Sequence, residues 1–263
     1  LKYLQSAYNG NHDELIIKPL GDLHIGAPNF DEKVFTRELE KIDKERDRTR
    51  IILMGDLAET ATKESVGAGV YEQRDMVDQQ IYKAKNLLWD FRDLIDLIVT
   101  GNHEQRVYKQ SGHDPMRYFA ELMGLADKYA RYQGVVKYAW NKRAYDVAVW
   151  HGAGGGTTIG GAMNKLQKMQ NVVVADVYLM GHVHKRAATF DGIYITDQRN
   201  GKIIQKKQAF VITGSALGYE ESYAEEAGLK PSIKGFPSIY LDGTFQAAGN
   251  SRQVVNKDIR VEI

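Results

Sequence analysis

Seven side chains in this 263-residue chain have the types and spacing of a metal site. They fall in five short motifs: Gly21-Asp22-Leu23-His24, Gly55-Asp56-Leu57-Ala58-Glu59, Gly101-Asn102-His103-Glu104, Trp150-His151-Gly152 and Gly181-His182-Val183-His184. Asp22, His24, Asp56, Asn102, His151, His182 and His184 offer carboxylate, carboxamide and imidazole donors, which bind divalent cations of the first transition row. Five of the seven histidines lie in these motifs, and each motif follows an apolar run. One composite site explains that better than five coincidences.

Seven ligands exceed the roughly three protein donors that a catalytic zinc takes. They suit two ions, with a carboxylate such as Asp56 as a bridge. Two divalent ions against two aspartates leave the pocket positive, so it would attract phosphate and activate water. Asp22 and His24 are two apart at a strand end, as are His182 and His184, so each pair should point one way. Asp56 and Asn102 each follow a glycine that permits a sharp turn.

The elements that must carry these motifs are legible as periodic patterns. Leu15–Leu20, Arg50–Met54, Leu94–Thr100, Tyr145–Trp150 and Val177–Met180 read as strands buried on both faces. Asp31 caps a helix with Phe35, Leu39 and Ile42 on its apolar face, ending in the charged run Lys44–Arg50. Val77, Ile81, Ala84, Leu88, Phe91 and Ile95 suggest a longer helix. Asp114-Pro115 opens another that stops near Gly124, and Gly160–Asn171 opens a fourth. This alternation over residues 15–185 predicts a layered α/β fold. From about residue 185 the texture is β-rich, with hairpin signals at Asn200-Gly201 and Asp242-Gly243, and reads as a second sheet packed on the first. No linker or repeat interrupts residues 1–263, so one domain is expected.

Composition bounds the partners. Lys+Arg is 35 against Asp+Glu 34, so no global basic field advertises nucleic acid, although a local groove would suffice. With no cysteine, disulfides, thiolate metal sites and a cysteine nucleophile are excluded. No apolar stretch reaches the roughly 18 residues of a membrane span. No signal-peptide pattern precedes Leu15, and a first residue other than Met would fit a trimmed leader. The expectation is a soluble, cytoplasmic protein with no membrane partner.

Taken in order, Asp-x-His, Gly-Asp-x-x-Glu, Gly-Asn-His-Glu, an isolated His and Gly-His-x-His resemble the calcineurin-like metallophosphoesterase superfamily over residues 21–184. The resemblance implies a four-layer αββα sandwich with two packed mixed β-sheets. It implies one metal on Asp22, His24, Asp56 and His184, and a second on Asp56, Asn102, His151 and His182. A hydroxide bridging them would attack phosphorus, with Asp56 and His103 as the catalytic pair. His103 would stay off the metals and protonate the leaving oxygen. The expected ions are Mn2+ first, with Fe, Zn, Co or Ni admitted by the same donors.

Two departures bear on substrate. Many relatives have Gly-Asp-x-x-Asp followed by Arg, where this chain has Glu59-Thr60, which argues against the phosphoprotein phosphatase branch. Gly101-Asn102-His103-Glu104-Gln105-Arg106 nevertheless resembles that branch, so Arg106, with Asn102, would contact a phosphate oxygen. The segment from His151 to Gly161 resembles metallophosphoesterases of phages and prophages, and the DNA-repair nuclease branch shares the five-motif plan. The expected activity is therefore a phosphodiesterase, with DNA or another nucleic acid as one candidate substrate. The alternative is a phosphomonoesterase on a nucleotide or phosphoprotein. A third reading is a metal-binding scaffold without catalysis, against which a non-ligand His103 speaks.

Other residues keep two readings. Glu59 and Glu104 either orient a neighbouring ligand or His103, or face solvent. The glycine loop 152–156 either cradles phosphate or lets the backbone pass close to His151, the second being preferred. Arg106, Tyr108 and Lys109, at a loop start, would suit a nucleotide. Lys202, Lys206 and Lys207 suit a charged edge strand, or less well a DNA-contacting hairpin. His12 reads as a surface turn, and His113 as a residue leading into a helix.

Overall fold

A computed structural model describes residues 1–8, 11–63, 65, 69–141, 143–154, 158–220, 223–226, 228–244 and 258–263. The five apolar runs form β2 (Glu14–Leu20), β3 (Thr49–Leu53), β4 (Ile95–Val99), β7 (Arg143–Trp150) and β8 (Val177–Met180), numbered in chain order. Three strands escaped the periodicity reading: β1 (Lys2–Tyr8), β5 (Tyr129–Arg131) and β6 (Gln133–Trp140). β1 is an edge strand paired in parallel with β6, so its alternating, half-buried residues give no continuous apolar run.

The C-terminal part adds β9 (Arg186–Asp197), β10 (Lys202–Thr213), β11 (Ser238–Asp242) and β12 (Ile259–Glu262). It does not make a second sheet of its own. One six-stranded sheet runs β1-β6-β7-β8-β10-β9 and the other β12-β11-β2-β3-β4-β5, so the late strands extend both. Asn200-Gly201 does turn the β9–β10 hairpin. Asp242-Gly243 does not join a tight hairpin, because the antiparallel partner of β11 begins only at Ile259. Both sheets mix parallel and antiparallel pairs.

Three apolar layers hold the sandwich. Between the sheets, Leu15, Ile17, Ile52 and Leu97 meet Val136, Tyr138, Val147, Leu179 and Val211. On the outer face of the β2–β3–β4 sheet, Leu20, Ile51 and Ile98 pack under α1 (Glu32–Lys44), α3 (Val77–Leu88) and α5 (Pro115–Leu122). α2 (Gly69–Glu72) is a single turn before α3. On the other outer face, Tyr178, Phe210 and Ile212 pack under Ala162 and Leu166 of α6 (Ile159–Gln167). The fold is the expected α/β, four-layer αββα sandwich with two packed mixed β-sheets. Burying Phe35, Leu39 and Ile42 of α1 contributes about 1.5–3 kcal/mol for each side chain.

Three local expectations need correction. The 77–95 pattern is not one helix: α3 stops at Leu88, a tight turn covers Trp89–Leu94, and Ile95 starts β4. His103, Arg106, Tyr108 and Lys109 are not in a loop but on α4 (Asn102–Ser111). Lys202, Lys206 and Lys207 lie on β10, and the edge strand is β9. Lys206 and Lys207 are paired with Asp176 and Asp258 at 3.1 and 3.0 Å. Among the described residues no helix is long and apolar enough to cross a membrane.

Candidate metal centre

All seven predicted ligands lie just beyond the C-terminal ends of strands: Asp22 and His24 after β2, Asp56 after β3, Asn102 after β4, His151 after β7, and His182 and His184 after β8. Parallel pairing of β2, β3 and β4 in one sheet, and of β7 and β8 in the other, puts these ends along one rim. Such rims are where open α/β sheets gather ligands.

The backbone at the rim is strained. Asp22, His24, Asp56, His182 and His184 have φ of 49°, 54°, 48°, 70° and 53°, in the left-handed region. They are five of the eight non-glycine residues in that region among those described. Each such residue costs about 1–3 kcal/mol, which a fold tolerates where surrounding contacts over-determine it. Here the loops after β2 and β3 are zipped together: Leu23 and His24 N–H donate to the Asp56 carbonyl (2.8 and 3.1 Å), and Ile25 N–H to that of Leu57 (2.9 Å). Left-handed turns, rather than strand alternation, therefore set these directions: Asp22 and His24 converge on one cluster, whereas His182 and His184 diverge into two. The expectation that each pair points one way holds for Asp22 and His24 and fails for His182 and His184.

Two adjoining donor clusters result. In the first, His184 Nε2 lies 3.0 Å from His24 Nε2 and 3.4 Å from Asp22 Oδ1. In the second, His151 Nε2 lies 3.2 Å from Asp56 Oδ2 and 3.0 Å from Asn102 Oδ1, and His182 Nδ1 lies 2.7 Å from the same Asn102 oxygen. Asp56 Oδ2 is also 4.0 Å from His24 Nε2, so this one oxygen stands between the clusters.

The hydrogen bonds on the far side of each ring show what the near side offers. His24 Nδ1 faces the Glu59 carboxylate at 2.8 Å, and His151 Nδ1 faces the Met54 carbonyl at 2.7 Å. Both partners only accept, so the ring protons belong on Nδ1 and the Nε2 lone pairs face inward. For His151 that lone pair meets the acceptor oxygens of Asp56 and Asn102. Converging acceptors in a buried place fit a cation.

Asp22 and Asp56 are 0% and 1% exposed. Burial alone would raise their pKa, yet His184 and His151 hold Asp22 low, and His151, His103 and His24 hold Asp56 well below the usual carboxylate range. The reciprocal effect pushes His151 up to about 10, burial being outweighed by Asp56 and Asp22. A proton on Nε2 and a divalent cation answer the same field. The structure thus holds groups able to bind metal, with nitrogen and oxygen donors only.

His103 is placed differently. Its N–H donates to Asp56 Oδ1 (2.9 Å), its Nδ1 lies 2.9 Å from the Glu59 carbonyl, and its Nε2 stands 3.9 Å from Asp56 Oδ2. His24, Glu59 and His103 form a third close cluster, but both Nδ1 atoms there are bonded to Glu59. Burial would lower His103, whereas Asp56 and Glu59 raise it to about 9. Arg106, one turn along α4, opposes protonation and places two guanidinium nitrogens 3.3 and 3.0 Å from the ring nitrogens. Arg106 is anchored on Ser65 Oγ at 3.2 Å.

The two glutamates left open now have roles. Glu59 orients His24 and neighbours His103. Glu104 is fully buried and touches no ligand side chain; it accepts N–H bonds from Asp56, Leu57, Ala58 and Gly101 (3.1, 2.8, 3.2 and 3.0 Å). Its signal was its place three residues after Gly101, where a glutamate can bond back to the start of a helix. Gly101 is extended, so no sharp turn requires it. It is glycine because a Cβ there would collide with the Asp56 backbone and carboxylate.

Other candidates fall outside the centre. His12 pairs with exposed Asp47, and the His113 ring packs 5.8 Å from that of Tyr118. Tyr108 stacks under Arg131 at 4.1 Å instead of joining Arg106. Gly152 has φ +115°, and a Cβ on it would lie 2.8 Å from that of His182, so the close approach that favours glycine there is to His182 and not the expected one to His151. Gly155, Gly156 and Thr157 lie outside the described residues. Compared with known proteins, the chain matches no family model and no curated sequence.

Proposed function

We propose that this protein is a two-metal phosphoester hydrolase of the calcineurin-like metallophosphoesterase type, with phosphodiesters, nucleic acid among them, as its substrate class. One observation carries the reading: Asp56 Oδ2 stands between two histidine-rich donor clusters, while His103 faces the same oxygen with its other nitrogen engaged elsewhere. Asp22, His24, Asp56 and His184 would hold one ion, and Asp56, Asn102, His151 and His182 the other. Manganese is the first choice, with iron, zinc, cobalt or nickel suited to the same donors. Such ions supply Lewis acidity toward a phosphoryl oxygen and toward water.

The chain's own residues do the rest. Glu59 and the Met54 carbonyl fix the His24 and His151 tautomers, keeping both Nε2 atoms turned inward. The Glu59 carbonyl holds His103 by Nδ1, and Nε2, which faces the Arg106 guanidinium at 3.0 Å, would hand a proton to the leaving oxygen once substrate phosphate draws Arg106 away. In the metal-free protein Asp56 and Glu59 outweigh burial and raise His103 to about 9, which favours the protonated ring. Arg106, packed on His103, favours a second reading, a phosphomonoesterase, because a guanidinium beside the acid suits the extra charge of a monoester.

The test is hydrolysis by manganese-loaded protein of a generic diester, a generic monoester, and single-stranded and duplex DNA. Diester cleavage is expected, and cleavage of the monoester alone would overturn the diester assignment. His103→Ala should lose roughly 10²–10⁴-fold in turnover, the usual worth of a positioned general acid. Its metal content should be unchanged; unchanged turnover would remove His103 from the acid role.

A further inference from the structure

Away from the metal centre, on the outer face of the β2–β11 sheet, lies a cavity of about 290 Å³. It is lined by Lys18, Lys41, Thr49, Arg186, Ser238 and Tyr240 among others. Most charges around it are matched. Buried Lys18 pairs with Glu38 and donates to Ser238 Oγ (2.7 Å). Glu45 pairs with Arg48, and Glu262 accepts from the Tyr240 hydroxyl (2.9 Å). Lys41 leans on the same Glu38 at 3.3 Å, so one carboxylate serves two lysines.

Arg186 is the exception. Its Nε is buried with no acceptor, and among the described residues no carboxylate lies within ion-pair distance of its guanidinium. The fold nevertheless makes room for this side chain. A Cβ on Gly214 (φ +79°) would lie 2.5 Å from Arg186 Cγ, and one on Gly235 (φ +123°) would lie 3.1 Å from its Nη1. Gly214 must also clear the Gly235 carbonyl, which a Cβ would approach to 2.2 Å, so these two left-handed glycines pack on each other and on an arginine that meets no anion. Arg186 as a whole is half-buried, but its buried Nε has given up hydration without gaining a protein acceptor.

We propose that this cavity is a second anion site, in which Arg186 and Lys41 bind a small tetrahedral oxyanion of the phosphate class. The guanidinium offers the planar donor fork that phosphate oxygens fit, Lys41 adds a mobile charge at the rim, and the Ser238 hydroxyl is within the lining. The volume is at the small end of the roughly 300–1,000 Å³ typical of ligand pockets, which suits phosphate or a small phosphoryl group rather than a polymer. No metal-centre donor lines this cavity, although Arg186 lies only two residues after His184, and binding there needs none of the activity proposed above.

The experiment is a titration of metal-free protein with inorganic phosphate, followed by amide chemical shifts, at ionic strength held constant with chloride. Saturable shifts are expected at Arg186, Lys41 and Ser238. Arg186→Gln should weaken binding about tenfold, the loss expected when charge-assisted hydrogen bonds to an anion are removed. Lys41→Glu changes an exposed side chain and keeps the test valid should Arg186→Gln fold poorly; it should weaken binding at least severalfold. Asp56→Ala should leave binding intact. Shifts confined to the metal centre, binding unaffected by both cavity variants, or no saturation with phosphate would each overturn the proposal.

Discussion

Replacing Glu104 by Gln changes one carboxylate oxygen into an NH2 group, and the structure says what that should cost. Each oxygen of Glu104 already takes two backbone donors: Oε1 those of Leu57 and Ala58, Oε2 those of Asp56 and Gly101. Burial and the nearby Asp56 push this carboxyl up to about 7, but neither oxygen can accept a proton without turning it toward an N–H. The geometry therefore describes an ionised glutamate stitching the β3 loop to the start of α4. A carboxamide can keep two of these bonds; it must leave the other two N–H groups facing an NH2. At about 1–3 kcal/mol for each unsatisfied buried donor, the loss is about 2–6 kcal/mol. A typical domain has only about 5–15 kcal/mol in total. For a chain of this size that lowers Tm by about 5–20 °C. Thermal and urea unfolding of metal-free wild-type and Glu104→Gln protein would measure it. A loss below about 1 kcal/mol would refute the reasoning, because it would mean Glu104 is already protonated and its four contacts do not require a charge.

Gly101→Ala should fold with the β3 and β4 loops pushed apart, since its Cβ would occupy the place of the Asp56 carboxylate; metal analysis should show less than wild-type content, and full content would contradict the role given to this close approach. Glu59→Gln should keep the fold but weaken metal affinity about 10–100-fold, as loss of a group orienting a ligand usually does. Competition with a chelator would measure it, and an unchanged affinity would separate Glu59 from His24.

Much of the site could be read before the fold was known. Residue type alone marks Asp22, His24, Asp56, Asn102, His151, His182 and His184 as donors, and the apolar run before each motif marks a strand. Those runs were legible because strands buried on both faces are continuously apolar. Strand β1 was not, because as an edge strand it alternates, and β6 was not, because Gly134 and Lys137 interrupt its apolar residues. Helix α4 was missed because its residues Asn102–Ser111 are largely polar, with only Glu104 buried. Its burial is governed by backbone donors rather than by an apolar stripe.

By itself, then, the sequence determined the inventory: which donors exist, that thiols are excluded, and that strands deliver the donors to their C-terminal ends. Only the tertiary structure decided which donors share a cluster. His24 and His184 are 160 residues apart yet 3.0 Å apart in space. It also decided that Glu59 serves His24 and His103, for which nothing local spoke, while Glu104, three residues after Gly101 at a helix start, serves the backbone. The physical reason lies in the left-handed turns at Asp22, His24, Asp56, His182 and His184. No local preference of Asp or His selects those conformations over strand or helix. They persist because hydrogen bonds between loops from different strands over-determine them, and such bonds exist only once the sheets are assembled.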